Sequence, residues 1–276
     1  MNNISVLAIV YNEEDRIVDF LRSFIWSNDI ILIDKSSSDK TVELARNYSA
    51  KIIRVPYTEE VAKLAEMGLS IACNEWVLMA TASDIMHPNL AKKILGLINK
   101  ADFDYDVIEM PYSIYVFGIR DKRSPWYTEW ENKLAKKKVI KYSNRVHEER
   151  GVLSAKKYRM EYSETDILYH LTHRNIDTFF EHHLRYCKLE ADKITDETGV
   201  RTAFKQILRA CKLVFIERKT YKIKKDGMAL GLAYISYFIM SYLFIWQKFY
   251  AKGEKTYENI KKDILDSSMK CGHKEV

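Results

Sequence analysis

Three polar clusters in this sequence bring together side chains that can do chemistry. The first is Asp34-Lys35-Ser36-Ser37-Ser38-Asp39, which follows the apolar run Asp29 to Asp34. An aspartate at the carboxyl end of a buried strand accepts hydrogen bonds from a ribose or a base, and a serine-rich turn opening a helix presents N–H groups to an anion. The plainer role of the same residues is a turn in which Asp39 caps the next helix. The second cluster, Thr81-Ala82-Ser83-Asp84, sets one carboxylate beside two hydroxyls at the end of another apolar run. The third is Arg145-Val146-His147-Glu148-Glu149. A histidine next to two carboxylates supplies a metal ligand and a general base, although in a solvated loop the run is only charged surface. His170 ends the run Ile167-Leu168-Tyr169-His170 and is either a site residue or a packed one.

The elements that must position these clusters alternate in type. Ile4 to Val10 reads as a buried strand, and Ile17, Phe20, Leu21 and Phe24 recur at helical spacing behind Asn12 as a candidate N-cap. Asp29 to Asp34 is a second strand, a helix runs from Thr41 to about Tyr48, and Lys51 to Val55 is a third strand. A helix over residues 59–72 then leads to a fourth strand, Glu75 to Ala80. This β-α-β-α-β-α-β order predicts a mostly parallel sheet with helices on both faces, so the polar residues at the strands' carboxyl ends should meet in one crevice. Beyond it, residues 104–119 hold two strand-like runs, a charged aromatic stretch continues to Tyr162, and Ile176 to Ile194 reads as a helix.

Composition narrows the class. The chain has 276 residues, 47% of them hydrophobic, with 9 Gly and 4 Pro, which excludes collagen-like and low-complexity chains and leaves ample material for a core. The four cysteines show no CxxC pair or metal-ligand spacing, which suits a reducing cytosol, and the N-terminus lacks the basic and cleavage regions of a signal peptide. The first hundred residues carry 11 basic and 13 acidic side chains, so the +6 net charge lies entirely in the second part. There, Lys133 to Lys141 reads as a solvated basic loop near an anionic substrate; no nucleic-acid module accompanies it, so no nucleic-acid partner is expected. Arg201 to Lys225 has nine basic residues against Glu217 and reads as a basic amphipathic helix, with Phe204, Ile207, Leu208, Cys211, Val214 and Phe215 on its apolar side. Gly227 to Trp246 has no charge over 20 residues, a length that spans a bilayer, although Tyr234, Tyr237 and Tyr242 dilute its hydrophobicity. A helix shared between the fold and a membrane interface accounts for both features.

The segment from Ala8 to Tyr57 resembles the nucleotide-binding half of family 2 glycosyltransferases, most nearly the branch of lipopolysaccharide-core β-glucosyltransferases. Tyr11-Asn12-Glu13-Glu14, Asp34 to Thr41, Asn144 to Glu149 and Tyr169-His170 match that branch's motifs in order and spacing. The resemblance implies an α/β fold of the GT-A type, Rossmann-like, with a mostly parallel mixed sheet flanked by helices and a C-terminal helical extension. It implies a catalytic domain over residues 1–195, divided near residue 100 into a nucleotide-sugar half and an acceptor half, and an extension over 196–276. The donor is then a nucleotide-diphosphate sugar, usually a UDP-sugar, bound by Ile9, Val10, Tyr11, Asn12, Glu13, Asp34 and Ser36, with Thr81 and Ser83 near the diphosphate and Arg145 offsetting its charge. The acceptor is a saccharide or lipid-linked saccharide of a cell-surface polysaccharide, attacked with inversion after Glu148, or alternatively Glu149, takes its proton.

One motif departs from the branch. Its paired aspartates of the D-x-D type are replaced by Thr81 and Ser83, which leaves Asp84, with His147, to hold a divalent Mg or Mn ion. Three arrangements remain open: a metal held by Asp84 with His147 or water, a metal-free site using Arg and Lys, or a decayed site. The last corresponds to an impaired nucleotide-sugar or membrane-binding protein, the functional alternative to a transferase. A nucleotidyltransferase is disfavoured because Ala8 to Asp15 lacks a glycine-rich loop. Location is expected to be cytoplasmic, peripheral on the inner face of the membrane.

Overall fold

A computed structural model describes residues 4–58, 60–141, 151–152 and 156–272, with 151–152 and 266–272 described by their backbone alone. Two compact units follow one another, Met1–Phe179 and Phe180–Val276. The break falls inside a helix, earlier in the chain than the 195/196 division expected from the sequence.

In the first unit, β1 (Ile4–Val10), β2 (Asp29–Asp34), β3 (Ala50–Arg54) and β4 (Trp76–Ala80) are parallel and lie in the order β3-β2-β1-β4. β1, β2 and β4 read as near-continuous apolar runs because both of their faces are covered. Val6, Ala8 and Val10 pack with Ile30, Leu32 and Leu78 on one face, under Ile17, Phe20, Leu21 and Phe24 of helix α1 (Ile17–Ser23) and the residues beside it. Leu7, Ile31, Ile33, Val77 and Met79 pack on the other, against Leu64 and Ala65 of α3 (Val61–Ile71). Helix α2 (Thr41–Ala45) connects β2 to β3. The chain goes from β3 at the edge back to β4 beside β1, so the order reverses between β1 and β4. A crevice opens at such a reversal, at the strands' carboxyl ends.

The sheet continues beyond β4. Strand β5 (Asp84–Met86) and helix α4 (Pro88–Ile98) come next, and then β6 (Val107–Val116), a single long strand in place of the two runs expected. Pro111 sits within it next to a register shift against β7 (Trp130–Lys136), the irregularity at which a sheet tolerates proline. Strand β7 runs antiparallel to both β4 and β6. This corrects the expected solvated loop: Lys133 and Leu134 lie in a strand, and Lys133 is 5% exposed. The short pair β8 (Ile140–Lys141) and β9 (Gly151–Val152) stands apart, while β10 (Lys157–Arg159) and β11 (Leu168–Thr172) join β6. β11 also pairs antiparallel with β5, setting His170 opposite Asp84. Among the described residues the result is a nine-stranded mixed sheet.

The second unit is helical. Helix α5 (Ile176–Lys193) leads into it, and α6 (Thr198–Cys211) continues as a wider π-type turn over Lys212–Glu217. Lys219 then takes a left-handed φ of 53°, which ends the helix, and a short turn over Thr220–Ile223 precedes α7 (Lys224–Tyr250) and α8 (Gly253–Gly272). The expected continuous helix from Arg201 to Lys225 is therefore two helices joined by a reversal. Of the expected apolar side Val214 is buried, together with Ala203 and Ala210, whereas Phe204 and Leu208 are about half exposed at 50% and 55%. Small residues allow the close approach of α6 to Ile235 and Ile245 of α7.

Close approach is tightest at Gly227, where an added Cβ would lie 1.8 Å from the Thr220 carbonyl oxygen, a backbone atom that cannot rotate away. Gly227→Ala is expected to destabilise the protein by about 1–3 kcal/mol, read as a lower midpoint in urea unfolding; an unchanged midpoint would show that the reversal between α6 and α7 is loosely packed.

Candidate active site

The crevice between β1 and β4 is built from the loops that follow them. After β1, Asn12 adopts a left-handed φ of 53°, and its Oδ1 accepts from the Ser38 N–H at 2.9 Å. Asn12 is therefore not the cap of α1, whose preceding residue is Arg16. Its own N–H donates to Ser37 Oγ at 2.9 Å, that of Glu13 to Thr41 Oγ1 at 2.7 Å, and that of Glu14 to Asp39 Oδ2 at 3.0 Å. In return Glu14 Oε2 accepts from the Lys40 N–H at 3.0 Å. The loops after β1 and β2 are thus laced together side chain to backbone.

This lacing changes the role of the serine-rich turn. Its N–H groups at Ser37, Ser38, Lys40 and Thr41 already donate to Asp34, Asn12, Glu14 and Asp39, so they are not open to a phosphate as the sequence suggested. Asp34 is fully buried at the end of β2, accepts from the Ser37 N–H at 3.1 Å, and faces Arg54 Nε at 3.4 Å. Its carboxylate shapes the loop. Ser36 has a left-handed φ of 61° and its hydroxyl donates to the Val55 carbonyl at 2.7 Å. Ile9 and Val10 turn to opposite faces of the sheet, so their contribution to the crevice is backbone. Tyr11 instead meets Tyr57 edge to face at 4.7 Å, with the Lys35 ammonium 4.8 Å from the Tyr57 ring. No pattern in the sequence singles out Tyr57, which lies in the loop after β3.

The second half of the site gathers around Asp84. Its side chain has no solvent exposure, and Oδ2 accepts from Lys133 Nζ at 2.6 Å and from the Thr81 N–H at 2.8 Å. Oδ1 lies 2.8 Å from His170 Nδ1. Burial alone would raise this carboxyl's pKa; the Lys133 ammonium and the bond to His170 outweigh it and hold Asp84 well below the usual carboxylate range. Burial pushes His170 below its ordinary value, more than the neighbouring carboxylate raises it, and the charges of Lys133 and Arg16 lower it further. A neutral imidazole beside an ionised carboxylate donates from Nδ1, which leaves Nε2 as the acceptor. Lys133 also sits 4.8 Å over the Tyr112 ring.

Arg16 closes the cluster. Its Nη1 donates to Ser83 Oγ at 2.7 Å and its Nη2 pairs with Glu13 Oε2 at 2.6 Å. The end of β1 and the end of β4 are thereby joined across the reversal of strand order. Neither Arg16 nor Lys133 stood out in the sequence: Arg16 sits in a run of charges, and Lys133 in a basic stretch. Glu148, Glu149, Arg145 and His147 lie outside the described residues.

The residues present do not fit a divalent ion at Asp84. Hard cations take carboxylate oxygens, but Thr81 and Ser83 offer hydroxyls, and both oxygens of Asp84 are engaged, one by an ammonium that would repel a second cation. Among the described residues no group of three or more His, Cys, Asp or Glu is placed to hold a metal. The expected ligand role of Asp84 gives way to an internal ion pair.

With this geometry in view, the sequence model described as glycosyl transferase family 2 matches residues 5–157, more than half of the chain. The chain belongs to that family. An uncharacterised glycosyltransferase of Rickettsia typhi is 32% identical over 95 residues, 34% of this chain and 32% of that one. Another, from Mycoplasma pneumoniae, is 26% identical over 144 residues, 47% of each chain. The chain spans less than half the length of these curated relatives. Among solved structures, S. aureus TarS 1-349 in complex with UDP-GlcNAc is similar with a TM-score of 0.52 and 15% identity, covering 87% of this chain and 81% of that one. The likeness establishes the GT-A-like fold: a curled mixed sheet with flanking helices and C-terminal helices.

The Asp84 ion pair makes a direct test of the site's architecture. Lys133→Met keeps the stem and removes the ammonium, stranding a buried carboxylate, and is expected to cost about 3–5 kcal/mol at neutral pH. In the native protein the depressed pKa of Asp84 contributes stability above the ordinary carboxylate range and loses it as pH falls. Removing Lys133 reverses the shift, so the gap between variant and native protein should shrink as pH is lowered through that range. Urea midpoints measured from neutral pH into that range check this, and a gap independent of pH would exclude the ion pair as its cause.

Proposed function

We propose that this family 2 enzyme is an inverting transferase that moves a sugar from a UDP-sugar to a saccharide or lipid-linked acceptor of a cell-surface polysaccharide. The observation that carries the reading is the meeting of Glu13, Arg16 and Ser83 at the reversal between β1 and β4, where a fold of this kind receives its ligand. The complex of TarS with UDP-GlcNAc favours a UDP-linked donor. The uracil would lie against the Tyr11 and Tyr57 rings, an apolar wall at the outer end of β1. The sugar and diphosphate would lie toward Ser83.

In the proposed reaction the acceptor oxygen bonds to the anomeric carbon as the bond from that carbon to the diphosphate breaks. The electron pair leaves on the diphosphate, and the acceptor's proton passes to a carboxylate base. Glu148 is that base in this reading, with Glu149 as the alternate, on the strength of the motif that resembles the lipopolysaccharide-core branch. Glu148→Gln is expected to abolish transfer of radiolabelled sugar while UDP affinity stays within about twofold. Native-like turnover in that variant would remove Glu148 from the role.

Loss of the paired aspartates favours a second reading, an impaired nucleotide-sugar or membrane-binding protein. Detectable turnover with any UDP-sugar decides against it.

The second unit supports contact with the cytoplasmic face of a membrane. On α6 and the turn after it, the exposed apolar residues Phe204, Leu208 and Ile216 stand beside Arg201, Lys205, Arg209 and Lys212. Interfacial binding draws on apolar burial together with attraction of about 1 kcal/mol per basic residue to anionic lipid. Helix α7 is long and apolar enough to cross a membrane by length and composition. Seven of its residues, Gly227 and Ile245 among them, are nevertheless buried within the protein, which suits a helix lying at the interface. Leu208→Ser combined with Ile216→Ser should release the protein from phosphatidylglycerol vesicles in a flotation assay. Equal flotation of variant and native protein would end the membrane reading of this surface.

A further inference from the structure

We propose that the positive charge facing the donor diphosphate is the guanidinium of Arg16, built into the chain where a divalent ion would otherwise have to be carried. The inference rests on the donor reading above and adds the means by which the diphosphate is held. The charge count motivates it. Aspartates at positions 81 and 83 would bring two negative charges, the amount a divalent cation cancels; Thr81 and Ser83 bring none. A diphosphate approaching this end of β4 therefore meets the same net charge without a metal as it would meet with both the aspartates and the metal.

Geometry puts Arg16 in that place. Its Nη1 lies 2.7 Å from Ser83 Oγ, so the guanidinium sits against a position where the resemblance expects a carboxylate. Glu13 fixes its orientation from the other side at 2.6 Å, and the side chain keeps 25% of its exposure. The Ser83 contact uses one of the five N–H donors of a guanidinium, whose planar fork matches phosphate oxygens in a way an ammonium does not. Lys133 is buried against Asp84, so its charge is spent within the fold. The serine-rich turn after β2 has given its N–H groups to side chains. As the bond to the anomeric carbon breaks, the electron pair arrives on the diphosphate, and a guanidinium held by Ser83 and Glu13 stabilises that charge without having to be ordered first.

Calorimetric titration of the full chain with UDP and with uridine, in EDTA and in MnCl2, tests the proposal. The native protein should bind UDP with the same affinity, within about twofold, in both buffers. Arg16→Ala should weaken UDP binding by about tenfold or more and leave uridine binding unchanged, with Arg16→Lys between the two. Thermal melts of the variants without ligand show whether they fold. Ser83→Asp gives an independent arm: its carboxylate takes up the Arg16 charge, so UDP binding should weaken in EDTA and recover with MnCl2. Native UDP binding that requires MnCl2 while uridine binds in both buffers would overturn the role of Arg16 and leave the donor reading standing. So would a folded Arg16→Ala protein with native UDP affinity. Failure to bind either uridine or UDP in any buffer would overturn the donor reading and this proposal with it.

Discussion

A carboxylate without solvent exposure must be answered from within the protein, and Asp84 is answered from two strands at once. Lys133 comes from β7, which pairs with β4, and His170 comes from β11, which pairs with the β5 strand that Asp84 begins. The ion pair and its histidine thus tie the parallel half of the sheet to the strands that complete it. Taking both charges from water costs several kcal/mol per ion, and short hydrogen bonds on both carboxylate oxygens are what make the arrangement tolerable. Its consequence is positional. The chain leaving β4 turns at Thr81 to Ser83 under the control of Asp84, whose Oδ2 accepts the Thr81 N–H. Ser83 is thereby presented to the crevice, and Arg16 meets it there.

The same constraint bears on how a site with Thr81 and Ser83 in place of the expected acidic pair keeps a coherent electrostatic design. Once Asp84 is committed inward, it cannot also serve a cation in the crevice. The remaining positions, Thr81 and Ser83, are neutral acceptors and donors, so they add no carboxylate to the one that Glu13 already sets against Arg16. The loops after β1 and β2 complete the enclosure by satisfying each other's N–H groups, so they act as walls of fixed shape.

The sheet was legible because its determinants are local. Apolar β-branched runs such as Ile4 to Val10 and the helical spacing of Ile17, Phe20, Leu21 and Phe24 encode buried strands and an amphipathic helix within a few residues. The polar strand ends were legible for the same reason. What sequence could not assign was partnership. Asp34 and Asp84 are both aspartates at or near strand ends, yet one is spent on Ser37 and Arg54 and the other on Lys133 and His170, partners up to 86 residues away. Lys133 looked like one charge in a basic loop because the strand that buries it forms only through pairing with β4 and β6. Long-range pairing decides which charges are desolvated, and no local pattern reports it.

The second unit shows the same principle with apolar residues. Helical spacing on α6 marked Phe204, Ile207, Leu208, Cys211, Val214 and Phe215 as one hydrophobic side, but an apolar residue faces inward only where the neighbouring helix offers room. Close packing against α7 selects Ala203, Ala210 and Val214, and the larger residues Phe204 and Leu208 are left outside. An exposed row of large apolar side chains beside basic ones is costly in water and favourable at an anionic lipid surface. The basic excess that the sequence places after residue 100 thus divides by burial rather than by number. Lys133 is neutralised inside the sheet, while Arg201, Lys205, Arg209 and Lys212 remain on a surface where their charge can act.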